Sequence, residues 1–302
     1  MLFVHLLIVH SSIQFLLLYS FALTLDVVIP SLRRDSVGGA LYSFGRGTAV
    51  PDLITIVSNE VTPSLVPVGL RVRLVRFRSA RYPIGTMDVA LRRNIGIWAS
   101  PCSHIITFDD DQLASPDMVE AGARLFERQP FFWGHYRFLD FAVRPVDEIL
   151  QLPASAGRPR EFPPNAWHGW QSAYGGLFGG EKSMLQAAGG FDLAYCGRHA
   201  GEDQHLGRRL ADAAGHAGRV FVHEPPFAWH PTAKVPWSAP AYTNTCAGPH
   251  QFEEHRLGAV SVQQCRVCPY FQPPPGDVPT GEVLMRFDPA AVDVTVEDAA
   301  AR

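Results

Sequence analysis

The chain has 302 residues, 47% hydrophobic and 18% charged, which fits a globular protein with ample length for a sizeable core, as one large α/β domain or one domain with a small appendage. A net charge of −3 and a pI near 6.4 exclude a global attraction for nucleic acid, so any polyanion must be met by local groups. Five cysteines, Cys102, Cys196, Cys246, Cys265 and Cys268, are odd in number and scattered, which argues against a disulfide framework and for reduced thiols.

Residues 1–24 form an apolar segment that could cross a bilayer, which needs about 20 such residues. No Lys or Arg precedes it, and it runs straight into the strand at residues 26–30, so a membrane helix, a signal and a non-native extension all stay open. If it is a membrane helix, Arg33 and Arg34 after it place the rest on the cytoplasmic face; otherwise the chain is expected to be cytoplasmic.

From Asp26 the pattern alternates between strands and helices. Residues 26–30 (DVVIP), 53–57 (LITIV) and 72–77 predict strands, and residues 36–44 a weak helix. Residues 86–99 predict a helix capped by Thr86. The apolar run at 105–108 then stops at Asp109, Asp110 and Asp111. This alternation predicts a mostly parallel central sheet with helices on its faces, whose ligands lie at the carboxyl ends of the strands, where the three aspartates emerge. Like charges in a row need a positive neighbour, and a divalent cation bridging phosphate oxygens is one; a solvated acidic turn, with Ser115 and Pro116 starting the next helix, is the other reading. There is no G-x-G-x-x-G after the first strand and no P-loop, which removes support for dinucleotide redox chemistry and P-loop hydrolysis.

A helix at 116–128 and a strand at 131–138 continue the series, followed by a Pro- and Gly-rich surface loop at 152–165. Trp167, His168, Gly169 and Trp170 form an aromatic cluster that suits either a sugar ring or the core. Gly175, Gly176, Gly179 and Gly180 permit close approach to a ligand, and the helix at 181–188 is expected to end at Gly189. Glu202 and Asp203 open a helix whose apolar face is Leu206, Leu210 and Ala214; capping and the helix dipole explain such carboxylates without any function. Residues 220–223 predict a strand and 225–230 (PPFAWH) a loop beyond it.

In the last part, Cys246, His250, Cys265 and Cys268 have spacing suited to a tetrahedral structural Zn²⁺, with His255 in reserve; unrelated thiols in a polar loop are the alternative. This gives a zinc-binding appendage over 238–272 and a loosely held acidic, Ala-rich tail over 273–302.

The segments VVIPSLRR, LITIVSN, ALRRNIGIWAS and HIITFDDDQLASPDMV, followed by G-G, G-G-F-D and G-E-D-x-x-L-x-x-R-L, resemble the family-2 glycosyltransferases of GT-A fold over about residues 25–232, which implies a domain over 25–237. The resemblance implies a metal-dependent inverting transfer of a sugar from a nucleoside-diphosphate sugar to a glycan or other hydroxyl acceptor, with Mn²⁺ or Mg²⁺ as cofactor. It places Pro30, Ser31, Asn59, Arg93, Asn94, Asp109 and Asp110 around the donor. Asp111, Asp109 and His230 would hold the cation, with His223 as runner-up to His230. Trp170, Gly175 and Gly176 would meet the acceptor. Asp203 would be the general base and Glu202 would orient the acceptor. For Arg93 a solvated helix face is the competing reading. Ser58-Asn59-Glu60 departs from the family's aspartate after the second strand, so the base stays undetermined. A nucleotidyltransferase, or a carbohydrate- or partner-binding protein that has lost catalysis, are the alternatives.

Overall fold

Short runs of apolar residues without polar alternation build the centre of the molecule, because a strand covered on both faces has no side that faces water. The computed structural model describes residues 23–31, 37–60, 66–79, 81–82, 88–139, 144–159, 163–169, 173, 176–193, 202–231 and 285–299. Strands β1 (Leu25–Pro30) and β2 (Leu53–Val57) are buried at every residue. Between them lies helix α1 (Val37–Gly45); β3 (Val72–Arg78), helix α2 (Val89–Ala99) and β4 (His104–Phe108) follow. Gly96 lets α2 lie close on β1, since a Cβ there would come within 2.3 Å of Val28 Cγ1.

After the acidic turn, the two-residue β5 (Leu113–Ala114) precedes α3 (Met118–Phe126) and β6 (Phe131–Leu139). Next come the single-turn α4 (Val146–Leu150), β7 (Arg158–Pro159), β8 (Ala166–Gly169) and β9 (Leu177–Glu181). Helices α5 (Lys182–Ala187) and α6 (Glu202–Ala213) lead to β10 (Arg219–Pro231) and finally β11 (Asp293–Ala299).

The sheet order is β11-β3-β2-β1-β4-β9-β6-β10-β5, with β7 on β6 and β8 on β10. Strands β1 to β4 are parallel; β9 runs against β4 and β6 against β9, so β6 and its parallel neighbour β10 return to the direction of β4. Six described strands therefore share one direction, the mostly parallel sheet expected, and their carboxyl ends share one edge. Leu91, Ile95, Leu185, Leu206 and Leu210 from α2, α5 and α6 pack on one face, and Leu41, Phe44, Met118 and Val119 from α1 and α3 on the other.

Several expectations are corrected. Helix α2 begins after Asp88, whose carboxylate accepts from Arg92 Nε at 2.7 Å; Thr86 lies outside the described residues. Asp117, not Ser115, precedes α3. The stretch 225–230 belongs to β10, which absorbs its prolines in a register shift between His223 and Phe227. The largest correction concerns the end of the chain. Residues 285–299 are an integral edge of the domain: β11 pairs with β3 along all seven residues, Arg73 meets Asp298 at 3.2 Å, and buried Phe287 packs against Tyr82 and Trp98. The segment 1–22 and all four residues of the zinc set lie outside the described residues; among those described, no helix is long and apolar enough to cross a membrane.

Candidate active site

Strand β4 delivers its three carboxylates to the common edge in different environments. Asp110 is buried and accepts from Ser31 Oγ at 2.7 Å, which joins the end of β1 to the end of β4. Asp109 remains partly exposed; its N–H donates to Gly176 O at 3.2 Å and its Oδ2 accepts from Gln112 Nε2 at 3.3 Å. A Cβ on Gly176 would fall 2.5 Å from Asp109 Oδ2 and 2.2 Å from Tyr136 Oη, so the backbone approaches this carboxylate as only glycine allows.

Helix α6 runs back over the sheet before the turn into β10, which brings its first residues, Glu202 and Asp203, to the same edge. Arg93 joins the two acidic stretches. Its Nη2 donates to Asp109 Oδ1 at 2.9 Å, and its Nη1 to Glu202 Oε1 at 3.2 Å and Asp203 Oδ1 at 2.5 Å. The guanidinium sits 5.1 Å above the ring of Phe191, and its side chain is 3% exposed. A solvated helix face is thereby overturned for Arg93.

Its neighbour Arg92 points elsewhere, since adjacent helix residues do not share a face. Arg92 is equally buried and donates to Ser31 O at 2.6 Å, Asp88 Oδ1 at 2.7 Å and Glu60 Oε2 at 3.1 Å, tying together the ends of β1 and β2 and the start of α2.

Burial would lower the pKa of Arg93, but Asp203, Asp109 and Glu202 together raise it, so it stays a fixed cation. Burial, reinforced by the charge of Asp203 and opposed by Arg93, pushes Glu202 up to about 8. Its Oε2 is buried with no hydrogen-bond partner among the described residues. Part of the electrostatic case for a cation is corrected here: the positive neighbour of Asp109 is an arginine. Among the described residues no group of three or more His, Cys, Asp and Glu side chains could by itself hold a metal ion, so the set Asp109, Asp111 and His230 is not assembled as a three-ligand cage.

The other expected site residues divide clearly. Pro30 ends β1 and Ser31 follows it, both buried at the edge. Asn94 is fully buried and grips the backbone of Phe191, donating to its O and accepting from its N at 2.7 Å each; it holds the site without lining it. Asn59 does the same for Phe77, linking the ends of β2 and β3. His230, on β10, pairs in register with Phe138 of β6, one residue past the Trp229–Leu113 pair with β5, and its ring lies 6.3 Å from that of Tyr136 and 5.4 Å from that of Phe138. His223 is held by Gln129 at 2.7 Å, near the start of β6 and away from that turn; burial lowers its pKa to about 4. Trp167 is exposed on β8, and Trp170 and Gly175 lie outside the described residues. Arg92, Gln112 and Tyr136 were not anticipated; the doubled arginine inside an apolar helix was the one available signal.

No protein-family model matches the chain, and no curated protein matches it. Solved structures of similar shape include S. aureus TarS 1-349 in complex with UDP, at 10% identity and a TM-score of 0.47, covering 69% of this chain and 60% of that one. The mannosyltransferase PcManGT from Pyrobaculum calidifontis in complex with GDP-Man and Mn²⁺ matches at 14% identity and a TM-score of 0.45, covering 72% of this chain and 59% of that one. Against the longer S. aureus TarS structure the match covers 37% of that chain.

Proposed function

We propose that the chain is a glycosyltransferase that moves a sugar from a nucleoside-diphosphate sugar to a hydroxyl acceptor with inversion. The observation that carries this reading is the Arg93 bridge: Asp109 at the end of β4 and the Glu202–Asp203 pair at the start of α6 face one another across a single guanidinium. Inverting transfer needs one carboxylate, on the side of the sugar opposite the leaving diphosphate, to take the proton of the attacking hydroxyl, and positive charge to offset what develops on that diphosphate.

The pair at α6 suits that division of labour. Arg93 holds the carboxylate of Asp203 in place at 2.5 Å, and this carboxylate accepts the acceptor's proton. Glu202, with a pKa near 8, keeps its own proton at neutral pH and donates a hydrogen bond that orients the acceptor. On the donor side, Ser31 and Asp110 fix the strand ends, and the diphosphate lies along them.

A divalent cation fits as Mn²⁺ or Mg²⁺ with Asp111 and Asp109 as protein ligands, because such ions take one or two carboxylates and leave the remaining positions to phosphate and water. When bound it would neutralise charge developing on the leaving diphosphate.

The test is a panel of nucleoside-diphosphate sugars incubated with the protein and Mn²⁺, with release of nucleoside diphosphate measured for the wild type and for Asp111→Ala. Release that needs the metal and falls at least about tenfold in the variant is the expected result. Release indifferent to both, or no release from any donor, overturns the proposal.

A further inference from the structure

We propose that the C-terminal segment, residues 285–299, is a working part of this site: through Met285, Asp192 and His205 it positions the start of α6 that carries Glu202 and Asp203. The inference rests on the proposed transferase reading for its catalytic consequence, but its geometry stands independently.

Asp192 is completely buried. Its Oδ1 accepts from the N–H of Met285 at 2.9 Å, and the adjacent Leu193 N–H donates to Met285 O at 3.0 Å, so the returning chain is bonded to residues 192–193 at two points. The other carboxylate oxygen of Asp192 lies 3.2 Å from Nδ1 of His205, which is 1% exposed. His205 stands three residues after Glu202, one turn along α6 and on the same side of the helix. One turn further, Arg209 donates to Ala188 O and to Gly190 O, the latter at 2.6 Å. Asn94, next to Arg93 on α2, grips Phe191 within the same stretch.

Residues 188–193 thus contact every element that carries the site's charge cluster on this side, and the C-terminal segment holds them from outside. That segment has its own anchorage, which lets it serve as a fixed reference. Asp288 N–H donates to Tyr82 Oη at 2.9 Å, Ser79 Oγ donates to Ala291 O at 2.9 Å, and β11 is zipped to β3. A buried carboxylate persists only with its oxygens satisfied, and here one is bonded to the tail and the other faces α6. Asp192 and His205 touch neither substrate nor reacting atoms in this account; they are positioning residues.

The experiment uses the full chain with His205→Leu and His205→Asn, the latter because its side-chain amide reaches the place of Nδ1. His205→Leu is expected to lower kcat about ten- to a hundredfold, as displacement of a positioned group does, with donor KM nearly unchanged, and His205→Asn to recover most of the loss. Backbone hydrogen exchange should quicken together in the first turn of α6 and in residues 285–293 of the Leu variant. If that variant does not fold, Asp192→Asn, which keeps an acceptor for Met285, is carried through the same measurements. An unchanged kcat, no rescue by Asn, or faster exchange in α6 alone overturns the inference. If the wild type releases nucleotide from no donor, the functional reading fails, while joint or separate exchange still decides whether tail and helix are coupled.

Discussion

Arg93→Met is expected to lower the free energy of unfolding at pH 7 by about 3–5 kcal/mol, because removing one partner of a buried ionic cluster leaves the others without compensation. The three carboxylates bonded to Arg93 come from two distant parts of the chain, the end of β4 and the start of α6, and Asp109, the most exposed, is the one most relieved by water. Urea unfolding across pH gives the check. Glu202 already has a folded-state pKa raised to about 8, so the folded state keeps a proton that the unfolded chain has lost. Its contribution is complete below the ordinary carboxylate range and declines as pH rises toward 8. Without Arg93 the carboxylates bind protons more readily, so the variant's deficit should shrink toward pH 5. Arg93→Lys should recover only part of the loss, since one ammonium cannot span both acidic stretches as a planar fork does. A deficit below about 1 kcal/mol at pH 7, the range of an exposed pair, would mean that the bridge is solvated.

Asp203→Asn is expected to reduce transfer by about 10²- to 10⁴-fold, the usual contribution of a positioned general base. Nucleotide affinity should stay close to wild type, because the donor side is built from Ser31 and the three aspartates after β4. Glu202→Gln should cost far less, since an amide still donates the hydrogen bond that the protonated acid supplies. Single-turnover transfer and nucleotide titration on both variants separate the two roles. Equal losses in the two variants would contradict this division of roles.

The apolar strands were legible because their burial leaves a continuous hydrophobic run in the sequence. The acidic turn and the Glu-Asp helix start were legible as chemistry, but their common partner was not. Helix α2 is buried from Ala90 to Ile97, so it lacks the polar face that would have marked Arg92 and Arg93 as inward-pointing. Two adjacent arginines in such a helix are better read as buried and paired, because no solvated side is available to either. In β10 the prolines suggested a loop, since they cannot donate to a ladder, but a register shift accommodates them at one irregularity. The end of the chain misled through composition. DVTVEDA alternates with period two, and its acidic residues complement the arginines of VRLVRFR in β3, a match visible only when the two segments are compared directly.

A crystal structure of the full chain with a nucleoside diphosphate and Mn²⁺ would show where the donor binds. The diphosphate is expected at the carboxyl ends of β1 and β4, against Asp109 to Asp111, with the carboxylate of Asp203 across the cleft on the side the sugar would present to an acceptor. Nucleotide bound at another edge of the sheet, or a diphosphate at β4 with Glu202 and Asp203 turned away from it, would contradict it.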